Sequence, residues 1–407
     1  MNKRDKKNKG KDMKIQPTSS AGQNQVYNSI KTHLQHIGHH KEMSSEDIYK
    51  KYDFEHIHYP IIELGLKVNR GKITSHTVVA TILLENITEI VKKMEDNGRS
   101  FTKYMNEKIS TCKKIMAEFF KFDESIENVF SFLSHLNYNI KIDANFEQAR
   151  DWFVEKIDDY IFQHLTNAKT LIIDGAISLI KENDHILITT HAPLLTKLVE
   201  MAMKKELKFS LYVVYDPNDE KGKEDCLALS KLGAKVIMTS YNNIAYFMPI
   251  INKVFISGTA IYSNGYTLAR SGTSIIALFA KKYRKPFYVL MNTFKFSDKN
   301  QIDSLMINKS NYDPKKPNEM VMLDHDLVPS KLISLLITEI GFMPPASVPV
   351  VLREFKYDYD SLEYRHLNDE TADERFINGR IDCDILAKTR LQRFRQFVRL
   401  SFRQSLG

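Results

Sequence analysis

The sequence has few cysteines, one tryptophan and no long apolar run among its 407 residues. Cys112, Cys226 and Cys383 are too few and too widely spaced for a disulfide framework or a cysteine-rich zinc site, so we expect free thiols in a reducing compartment. The richest apolar segment, residues 332–352, contains Glu339 and three prolines, which argues against a membrane span. No apolar signal segment is found near the N-terminus. These absences predict a soluble protein of the cytosol with no membrane partner.

The excess positive charge lies at the two ends of the sequence. The formal net charge is +8; residues 1–16 and residues 379–407 each hold seven Lys or Arg and two acids, net +5 apiece. Residues 17–378 therefore carry 8 − 5 − 5 = −2. Because a nucleic-acid-binding fold carries its basic patch on the folded surface, this distribution argues against nucleic acid as a partner.

Residues 1–52 are predicted to form a disordered basic and polar tail, because they lack apolar periodicity. Tethering to RNA or the ribosome is the less favoured alternative. The tail is rich in histidine, but no partner shell for a metal is visible, so a flexible linker is favoured over a metal site. These histidines are His33, His36, His39 and His40.

Residues 53–180 are predicted to form an all-helical domain that ends in a long helix. Apolar residues recur at helical spacing, and in "TVVATILLENITEIVKKM" they form one stripe while Glu89 and Lys92 face away. The only tryptophan, Trp152, is assigned to the packing of the last helix. The stripe consists of Val79, Ile82, Leu83, Ile87 and Ile90.

Residues 181–355 are predicted to form an α/β domain with a doubly wound, mostly parallel, Rossmann-like sheet. Five short apolar runs alternate with helical segments, which is typical of parallel strands buried on both faces. "LVPSKLISLLITEIG" predicts a further helix closed by Gly341, and "SVPVVLREF" predicts a final edge strand in which Pro349 is tolerated. The five predicted strands are residues 185–190, 209–216, 235–240, 253–258 and 286–291.

Residues 356–407 are predicted to be a C-terminal extension that contains a basic amphipathic helix. Its apolar stripe lies in "ILAKTRLQRFRQFVRLSFRQ", with arginines off the stripe. A packing helix is favoured over one that binds a membrane surface or RNA, and a contact specific to an assembly is also possible. The stripe consists of Ala387, Leu391, Phe394, Val398 and Phe402.

Two polar turns are candidate ligand sites, because open α/β sheets bind ligands at the carboxyl ends of their strands. "TTHAPLL" follows the first predicted strand and offers His191 as a general base. "SGTAIYSNGYTLARSGTS", residues 257–274, follows the fourth, and its Asn264, Ser271 and Thr273 could bind a phosphate at the start of a helix near Ser271.

A structural interpretation of the same turns competes with the catalytic one. Ser271 and Thr273 could cap that helix, while Gly258, Gly265 and Gly272 permit tight turns. The sequence contains no G-x-G-x-x-G, no Walker lysine and no H-E-x-x-H. No cofactor and no metal site are predicted.

Four segments in order resemble the regulatory subunits of eukaryotic translation initiation factor 2B, the guanine-nucleotide exchange factor for initiation factor 2. They are "HYPIIELGL" (58–66), "FDESIENVFSFL" (122–133), "GTAIYSNGYTLARSGTSIIALFAKKYRKPFYVLMNTFKFSD" (258–298) and "DLVPSKLISLLITEIGFMPPASVPVVLRE" (326–354). Among the alpha, beta and delta types of this family, the delta type is the most similar. The C-terminal extension departs from the family pattern.

The fold of this family is shared with sugar-phosphate isomerases such as methylthioribose-1-phosphate isomerase, and the resemblance implies that their catalytic positions are lost here. Ala192 stands in place of a cysteine, Ala260 in place of an aspartate and Ile57 in place of a phosphate-binding arginine. The residues that match the isomerase scaffold then form a relic ligand loop whose role is to hold loop geometry. They are His191, Asn264, Gly265, Gly272 and Thr273.

The resemblance implies a regulatory, non-catalytic subunit that scaffolds an assembly with alpha, beta, gamma and epsilon subunits. The helical domain would help to sense the phosphorylated alpha subunit of initiation factor 2, and the α/β domain would pack against a beta-type partner. A sugar-phosphate isomerase or a sugar-phosphate-sensing subunit is the alternative function. Whether Phe287, Val289 and Val350 belong to an interface or to the core is left open by the sequence.

Overall fold

The computed structural model describes residues 59–73, 75–96, 98–141, 144–217, 219–304, 308 and 323–353. Residues 1–52, Ile57, Cys383 and residues 356–407, on which several predictions rest, lie outside these ranges. The chain divides into two compact units, and the described residues other than 308 and 323 belong to the larger one, which comprises residues 40–304 and 324–407. All labelled helices and strands belong to that unit.

The N-terminal part of the described chain is all-helical, as predicted, and its first five helices form a bundle. Apolar side chains from all five helices form one core, in which Leu83, Phe119, Phe130 and Phe153 are almost fully buried and Trp152 is partly buried. Helical periodicity places these side chains on the inner faces. The helices are α1 (Tyr59–Asn69), α2 (His76–Lys92), α3 (Phe101–Phe119), α4 (Glu124–Tyr138) and α5 (Phe146–Tyr160).

A π-helix at Ile161–Asn167 continues α5 directly into α6 (Ala168–Ser178). This wide turn changes which face of the long helix is buried. α5 packs inside the bundle, whereas Ile172, Ile173 and Ala176 of α6 pack against the sheet that follows. The domain boundary at residue 180 stays a prediction.

The rest of the described chain is an α/β structure. Four helices alternate with strands: α7 (Pro193–Lys204), α8 (Glu220–Lys231), the short α9 (Ile244–Phe247) and α10 (Thr273–Lys282). The strands are β1 (His185–Thr189), β2 (Ser210–Val214), β3 (Lys235–Thr239), β4 (Lys253–Ser257), β5 (Ala260–Tyr262), β6 (Thr267–Arg270), β7 (Phe287–Leu290), β8 (Phe296–Ser297), β9 (His325–Val328), β10 (Leu335–Thr338) and β11 (Gly341–Met343).

Seven of these strands form one sheet in the order β11-β10-β7-β4-β1-β2-β3. All neighbours pair in parallel except β10 and β11. Successive side chains point to opposite faces, so that Leu187 lies in one core with α9 and α10, while Ile186 and Ile188 lie in another with α6, α7 and α8. The doubly wound α/β prediction and its five strands are confirmed. Phe287 and Val289 belong to the core, since neither is exposed.

The polar segment after β4 is a β-hairpin rather than the predicted loop. β5 and β6 pair antiparallel, and they join β8 and β9 in a separate sheet of order β8-β5-β6-β9. Short apolar runs stand on both sides of the turn in "AIYSNGYTLA", but the polar turn residues between them made the whole segment look like a loop.

Two predictions near the C-terminal end of the described chain were wrong. "LVPSKLISLLITEIG" forms the end of β9, a 3₁₀ turn and β10 instead of a helix, because a short buried apolar run has the same composition in either structure. "SVPVVLREF" is helical at residues 348–353 instead of an edge strand. Pro349 is accommodated there because the first turn of a helix needs no donor from it.

The segment after β7 joins the helical bundle to the sheet. The side-chain amide of Asn128 in α4 donates to the carbonyls of Phe294 and Phe296 at 2.7 and 2.8 Å. The phenyl ring of Phe294 lies in the bundle core, and Asn292 donates to the carbonyl of His164 at 3.0 Å. These contacts fix the bundle beside the carboxyl edge of the sheet.

Candidate functional site

The two polar turns predicted as candidate sites lie side by side at the carboxyl edge of the seven-stranded sheet. β1 stands between β2 and β4, so the connection after β1 runs to one side of the sheet and the connection after β4 to the other. Open α/β sheets bind ligands at such a reversal of strand order. Residues 190–192 and the β5–β6 hairpin therefore border the expected ligand position.

His191 is held between two carboxylates. Its φ of 57° is a left-handed conformation that few residues other than glycine adopt. Its backbone N–H donates to the Asp225 carboxylate at 2.8 Å, and its Nε2 contacts the carboxylate of Asp219. A carboxylate can orient a catalytic imidazole, but such a pair also needs a nucleophile to act on. The residue that follows His191 is Ala192.

Asp219 collects the polar groups around His191 into one network. Its carboxylate accepts a hydrogen bond from the backbone N–H of Gly222 at 3.2 Å and one from the guanidinium of Arg270 at 3.2 Å. Partial burial acts to raise the pKa of Asp219, but the Gly222 hydrogen bond and the charges of His191 and Arg270 outweigh it and lower the pKa. The carboxylate is therefore ionised at neutral pH. An anionic ligand would meet a negative charge that already pairs with the guanidinium of Arg270.

Both alanines of the predicted lost catalytic pair are buried. Ala192 is 8% exposed and precedes the first turn of α7, and Ala260 is fully buried in β5 opposite Leu268. Neither methyl group can act as a nucleophile or transfer a proton. That these positions descend from an isomerase site stays a prediction.

Asn264 and Gly265 form the tip of the β5–β6 hairpin. The Asn264 side chain accepts from the N–H of Tyr266 at 3.1 Å and donates to the carbonyl of Gln301 at 2.7 Å. Gly265 has a φ of 75°, and a Cβ there would lie 2.9 Å from the carbonyl of Pro345. Both residues thus serve turn geometry and close packing.

Gly272 and Thr273 lie at the base of the hairpin, where α10 begins. The Thr273 hydroxyl donates to the carbonyl of Arg270 at 2.6 Å, so neither it nor Ser271 caps the helix through its side chain. The Asp326 carboxylate instead accepts from the N–H of Ser274 at 3.0 Å. The predicted phosphate position at this helix end therefore already faces a carboxylate.

The five residues of the predicted relic loop do not form one cluster. His191, Gly272 and Thr273 lie around Arg270, whereas Asn264 and Gly265 lie at the opposite end of the hairpin. Asp219 and Arg270, which complete the first group, were not predicted as site residues. Asp219 carries only a helix-capping signal in the sequence, and its contact with Arg270 spans 51 positions.

A second polar cluster, also missed by the sequence analysis, lies between the bundle and the small sheet. Nδ1 of His76, at the start of α2, lies 3.0 Å from the Asp123 carboxylate, which caps α4. Burial acts to raise the pKa of Asp123, but the nearby His76 imidazole and the backbone N–H of Ile126 outweigh it and lower the pKa. Burial lowers the pKa of His325, and burial together with nearby Glu124 and Asp123 raises that of Tyr262.

Lys295 connects this second cluster to the turn after β4. Its ammonium group donates to the carbonyl of Gly258 at 3.3 Å, and burial lowers its pKa, with the Asp123 charge acting in the opposite direction. Residues from α2, α4 and the segment after β7 thus meet here only through tertiary packing.

The described cysteines are buried thiols. Burial raises the pKa of Cys112 and of Cys226 to about 11, so both are protonated at neutral pH and poorly nucleophilic. Within the described ranges, no three His, Cys, Asp or Glu side chains are arranged to hold a metal ion, and no helix is long and apolar enough to cross a membrane.

A family model described as the initiation factor 2 subunit family matches residues 68–345, more than half of the sequence. The chain belongs to this family. The match covers most of the bundle, both polar turns and nearly all of the sheet. The fold and the candidate site therefore lie within the part that defines the family.

Two curated members of the initiation factor 2 subunit family are named translation initiation factor eIF2B subunit delta. The Dictyostelium discoideum protein is 26% identical over 88% of this chain and 61% of its own length. The Schizosaccharomyces pombe protein is 24% identical over 80% of this chain and 73% of its own length. The predicted resemblance to the delta type is confirmed. The chain spans about 61% of the length of the first relative.

A solved structure confirms the fold of this family member. The chain is similar to a chain of the tetrameric eIF2B-beta2-delta2 complex from C. thermophilum, with a TM-score of 0.69 and 22% identity. The match covers 75% of this chain and 97% of the other. A bundle of helices followed by a Rossmann-like sheet is thus an architecture common to both.

Proposed function

We propose that this chain is a delta-type, non-catalytic regulatory subunit of the guanine-nucleotide exchange factor for initiation factor 2, acting in the cytosol. The observation that carries the proposal is the family match over residues 68–345 together with two relatives named as delta subunits. The similarity to a chain of a beta–delta tetramer supports a role in a hetero-oligomer.

The candidate site supports a role without catalysis. Ala192 and Ala260 supply no reactive group, and His191 is engaged by Asp219 and Asp225. Arg270, a cation that could bind a phosphate, pairs with Asp219. The geometry at the reversal of strand order, where the two polar turns meet, favours a structural network over a sugar-phosphate site.

The regulatory role would follow from a difference in binding between two states of the assembly. A subunit can restrain exchange only if phosphorylated initiation factor 2 binds one state of the complex more tightly than the other. We assign this sensing to the surface of the helical domain, residues 53–180, and the contacts with alpha, beta, gamma and epsilon subunits to the assembly as a whole.

The test is purification of the tagged full-length chain from the cells that express it, followed by mass spectrometry of what copurifies. We expect the other four exchange-factor subunits in near-equal amounts, and initiation factor 2 in larger amount when its alpha subunit is phosphorylated. Nucleotide release from initiation factor 2 should be slower with the phosphorylated form only when this subunit is present.

The opposite result would be recovery of the chain without those subunits. In that case, turnover of methylthioribose 1-phosphate or ribose 5-phosphate by the purified chain would indicate an isomerase. A thermal stabilisation by either compound without turnover would indicate a sugar-phosphate-sensing subunit. Both outcomes would overturn the proposed function.

A further inference from the structure

The described chain ends on the side of the sheet that α9 and α10 cover. The helical residues 348–353 place Val348 and Val351 in the same core as Ile276 of α10. Arg353, the last described residue, is exposed. The sequence that continues from Arg353 therefore starts on the side of α9 and α10 rather than on the opposite side of the sheet.

The outer face of α10 on this side is apolar where a surface helix is normally polar. Ile276 and Ala280 face the sheet and are fully buried, whereas on the opposite face of the helix Ile275 is 44% exposed and Leu278 is 57% exposed. The first eight positions of α10, residues 273–280, contain no charged side chain. A helix that is apolar on both faces is usually covered on both faces.

The neighbouring α9 extends this apolar surface. Tyr246 in α9 is 78% exposed, and Ile250 just after it is 48% exposed. α9 packs against α10, and Lys285 donates to the carbonyl of Pro249 at 2.8 Å, which holds this segment beside the end of α10. We call the surface formed by four of these side chains the α9–α10 face. They are Tyr246, Ile250, Ile275 and Leu278.

Cations border the α9–α10 face at one end. Lys281, Lys282 and Arg284 are exposed, and none of them forms an ion pair with another residue in the described part of the chain. An apolar centre with a charged border is the usual anatomy of a contact surface. The border here favours an occupant that carries both apolar side chains and carboxylates.

The sequence that follows Arg353 has this composition. Residues 357–374, "YDYDSLEYRHLNDETADE", which we call the acidic segment, hold seven acids and one arginine, so their net charge is 1 − 7 = −6. At about 3.3 Å per residue the extended segment would span about 60 Å, four times the length of α10. Its large apolar and aromatic residues are Tyr357, Tyr359, Leu362, Tyr364 and Leu367.

Charge and connectivity distinguish the acidic segment from other occupants. The predicted helix at the end of this chain is basic, and a second copy would bring the same cations to a symmetric contact. The acidic segment brings carboxylates instead, and only residues 354–356 separate it from the described fold. Such a short connection gives it a high effective concentration at this surface, which a separate chain lacks.

We propose that the acidic segment of this chain covers its own α9–α10 face. Its tyrosine and leucine side chains contact Ile275 and Leu278, and its carboxylates pair with the cations at Lys281, Lys282 and Arg284. The proposal gives a role to part of the C-terminal extension, which departs from the family pattern. It is independent of the proposed function, because the contact lies within one chain.

The first test is crosslinking of the full-length chain with a carbodiimide, which joins a carboxylate directly to a lysine amine. We expect mass spectrometry to find links between Lys281 or Lys282 and the acidic segment. In a mixture of unlabelled chain and chain labelled with heavy nitrogen, these links should join segments of the same copy. Links from these lysines to a second copy or to a copurifying protein would overturn the proposal.

The second test is amide hydrogen exchange of the acidic segment in the full-length chain. We expect exchange at least about tenfold slower than in a synthetic peptide of the same sequence. Lys281→Glu combined with Lys282→Glu should remove most of this protection, because like charges then meet. Lys223→Glu combined with Lys231→Glu is the matched control, since both lysines are exposed on α8 and form no ion pair within the described residues.

A compensating change tests the charge contact directly. Adding Asp358→Lys and Asp360→Lys to the Lys281→Glu and Lys282→Glu variant should restore part of the protection, because opposite charges meet again. Higher salt should reduce the protection in the wild type and in the compensated variant alike.

The apolar part of the contact has its own variant. Leu278→Asp should speed exchange of the acidic segment by about tenfold, because it places a carboxylate at the centre of the face. Circular dichroism of every variant checks the fold, and the lysine variants suffice if Leu278→Asp unfolds. Exchange of the wild-type segment at the rate of the free peptide would overturn the proposal. Protection that survives the lysine reversals and Leu278→Asp would place the segment elsewhere, which also overturns it.

Discussion

At the scale of single residues, Asp219 joins three groups that come from different parts of the fold. Its carboxylate caps α8 and contacts His191 and Arg270. Because His191 follows β1 and Arg270 ends β6, the carboxylate ties the two polar turns at the reversal of strand order together. Asp219 therefore stabilises the fold in two ways, by capping α8 and by the interaction of its negative charge with His191 and Arg270. Different substitutions can separate these two contributions.

We predict that Asp219→Ala lowers the free energy of unfolding by about 1–2 kcal/mol, the usual cost of losing a helix cap. Asp219→Asn should lose less, since asparagine caps a helix as well as aspartate does but carries no charge. Urea unfolding at pH 7 measures both. Glu220→Ala, at an exposed neighbouring position, is the control.

The stabilisation that comes from the negative charge of Asp219 should disappear in acid. The folded state lowers the pKa of Asp219, so its stabilisation is present above the pKa of the unfolded chain and is lost as the pH falls through the folded value. The difference between wild type and Asp219→Asn should therefore shrink below about pH 4. A difference that grows in acid would contradict the network.

Among the glycines that the structure describes, Gly272 is the one at which a side chain is least tolerable. Its φ is 89°, and an added Cβ would lie 2.2 Å from Cε1 of Tyr241. We predict that Gly272→Ala costs about 2–4 kcal/mol, from backbone strain and overpacking together. Thermal or urea unfolding of the purified variant measures this loss.

Gly71 provides the control for Gly272, because its φ is 67° but nothing lies within 4 Å of an added Cβ. Gly71→Ala should cost about 1 kcal/mol from the backbone alone. Adding Tyr241→Ala to Gly272→Ala should relieve the overpacking part. Equal losses for the two single glycine variants would show that the Tyr241 ring moves away freely.

At the scale of elements, the long helix formed by α5, the π-helix and α6 connects the two parts of the described unit. Its first half is buried in the bundle and its second half against the sheet. π-helical turns are rare and often mark functional positions. Here the turn contains His164, whose carbonyl accepts from Asn292 and whose ring lies 4.7 Å from that of Tyr160, centroid to centroid.

We predict that His164 makes the fold sensitive to mild acid. Burial lowers its pKa to about 4, whereas an unfolded histidine titrates near pH 6.5. Between these values only the unfolded state binds the proton, so stability is complete above about pH 6.5 and falls by about 3 kcal/mol by pH 4. Urea unfolding of wild type and His164→Gln from pH 7.5 to 4.5 measures the effect.

The variant should lose less stability than the wild type over that range, because glutamine does not titrate. His135→Gln, at a partly buried histidine in α4 of the same bundle, is the matched substitution. Parallel curves for wild type and His164→Gln would mean that His164 is protonated equally in both states.

The segment after β7 is the other element that joins bundle and sheet. Asn128 of α4 donates two hydrogen bonds to its backbone carbonyls. We predict that Asn128→Ala destabilises the protein by about 1–3 kcal/mol, because two backbone carbonyls lose their donor. Amide hydrogen exchange should become faster at residues 293–299. Asn242→Ala, at an exposed position, should change neither quantity. Unchanged amide exchange in the Asn128 variant would mean that the packing of Phe294, and not the two hydrogen bonds, holds this segment against the bundle.

At the scale of the whole molecule, charge is distributed unevenly along the sequence. The two terminal segments carry +5 each, and the residues between them carry −2. We predict that a chain limited to residues 17–378 binds polyuridylate at least about tenfold more weakly at low salt than the full chain, because phosphate binding scales with the number of cations engaged. Fluorescence anisotropy at 50 mM and 300 mM salt measures it, and full binding by the shortened chain would place a basic site on the folded unit.

Several features of the chain were determined by its sequence. Helical periodicity defined the bundle, and β-branched runs between helical segments defined five parallel strands, because these signals repeat within short windows. The motifs in order identified the family. Local patterns failed at "LLIT", where burial on both sides removes the periodicity that separates a strand from a helix.

Only the tertiary structure decided what the polar turns do. The pairing of β6 with β9, the contacts of His191 and Arg270 with Asp219, and the meeting of His76 with Asp123 all join residues tens of positions apart. The sequence shows which polar groups exist, but not whether a neighbour already occupies their hydrogen bonds. Whether a polar turn is free to bind a ligand is a property of packing between distant segments, and packing becomes visible only when the chain is folded.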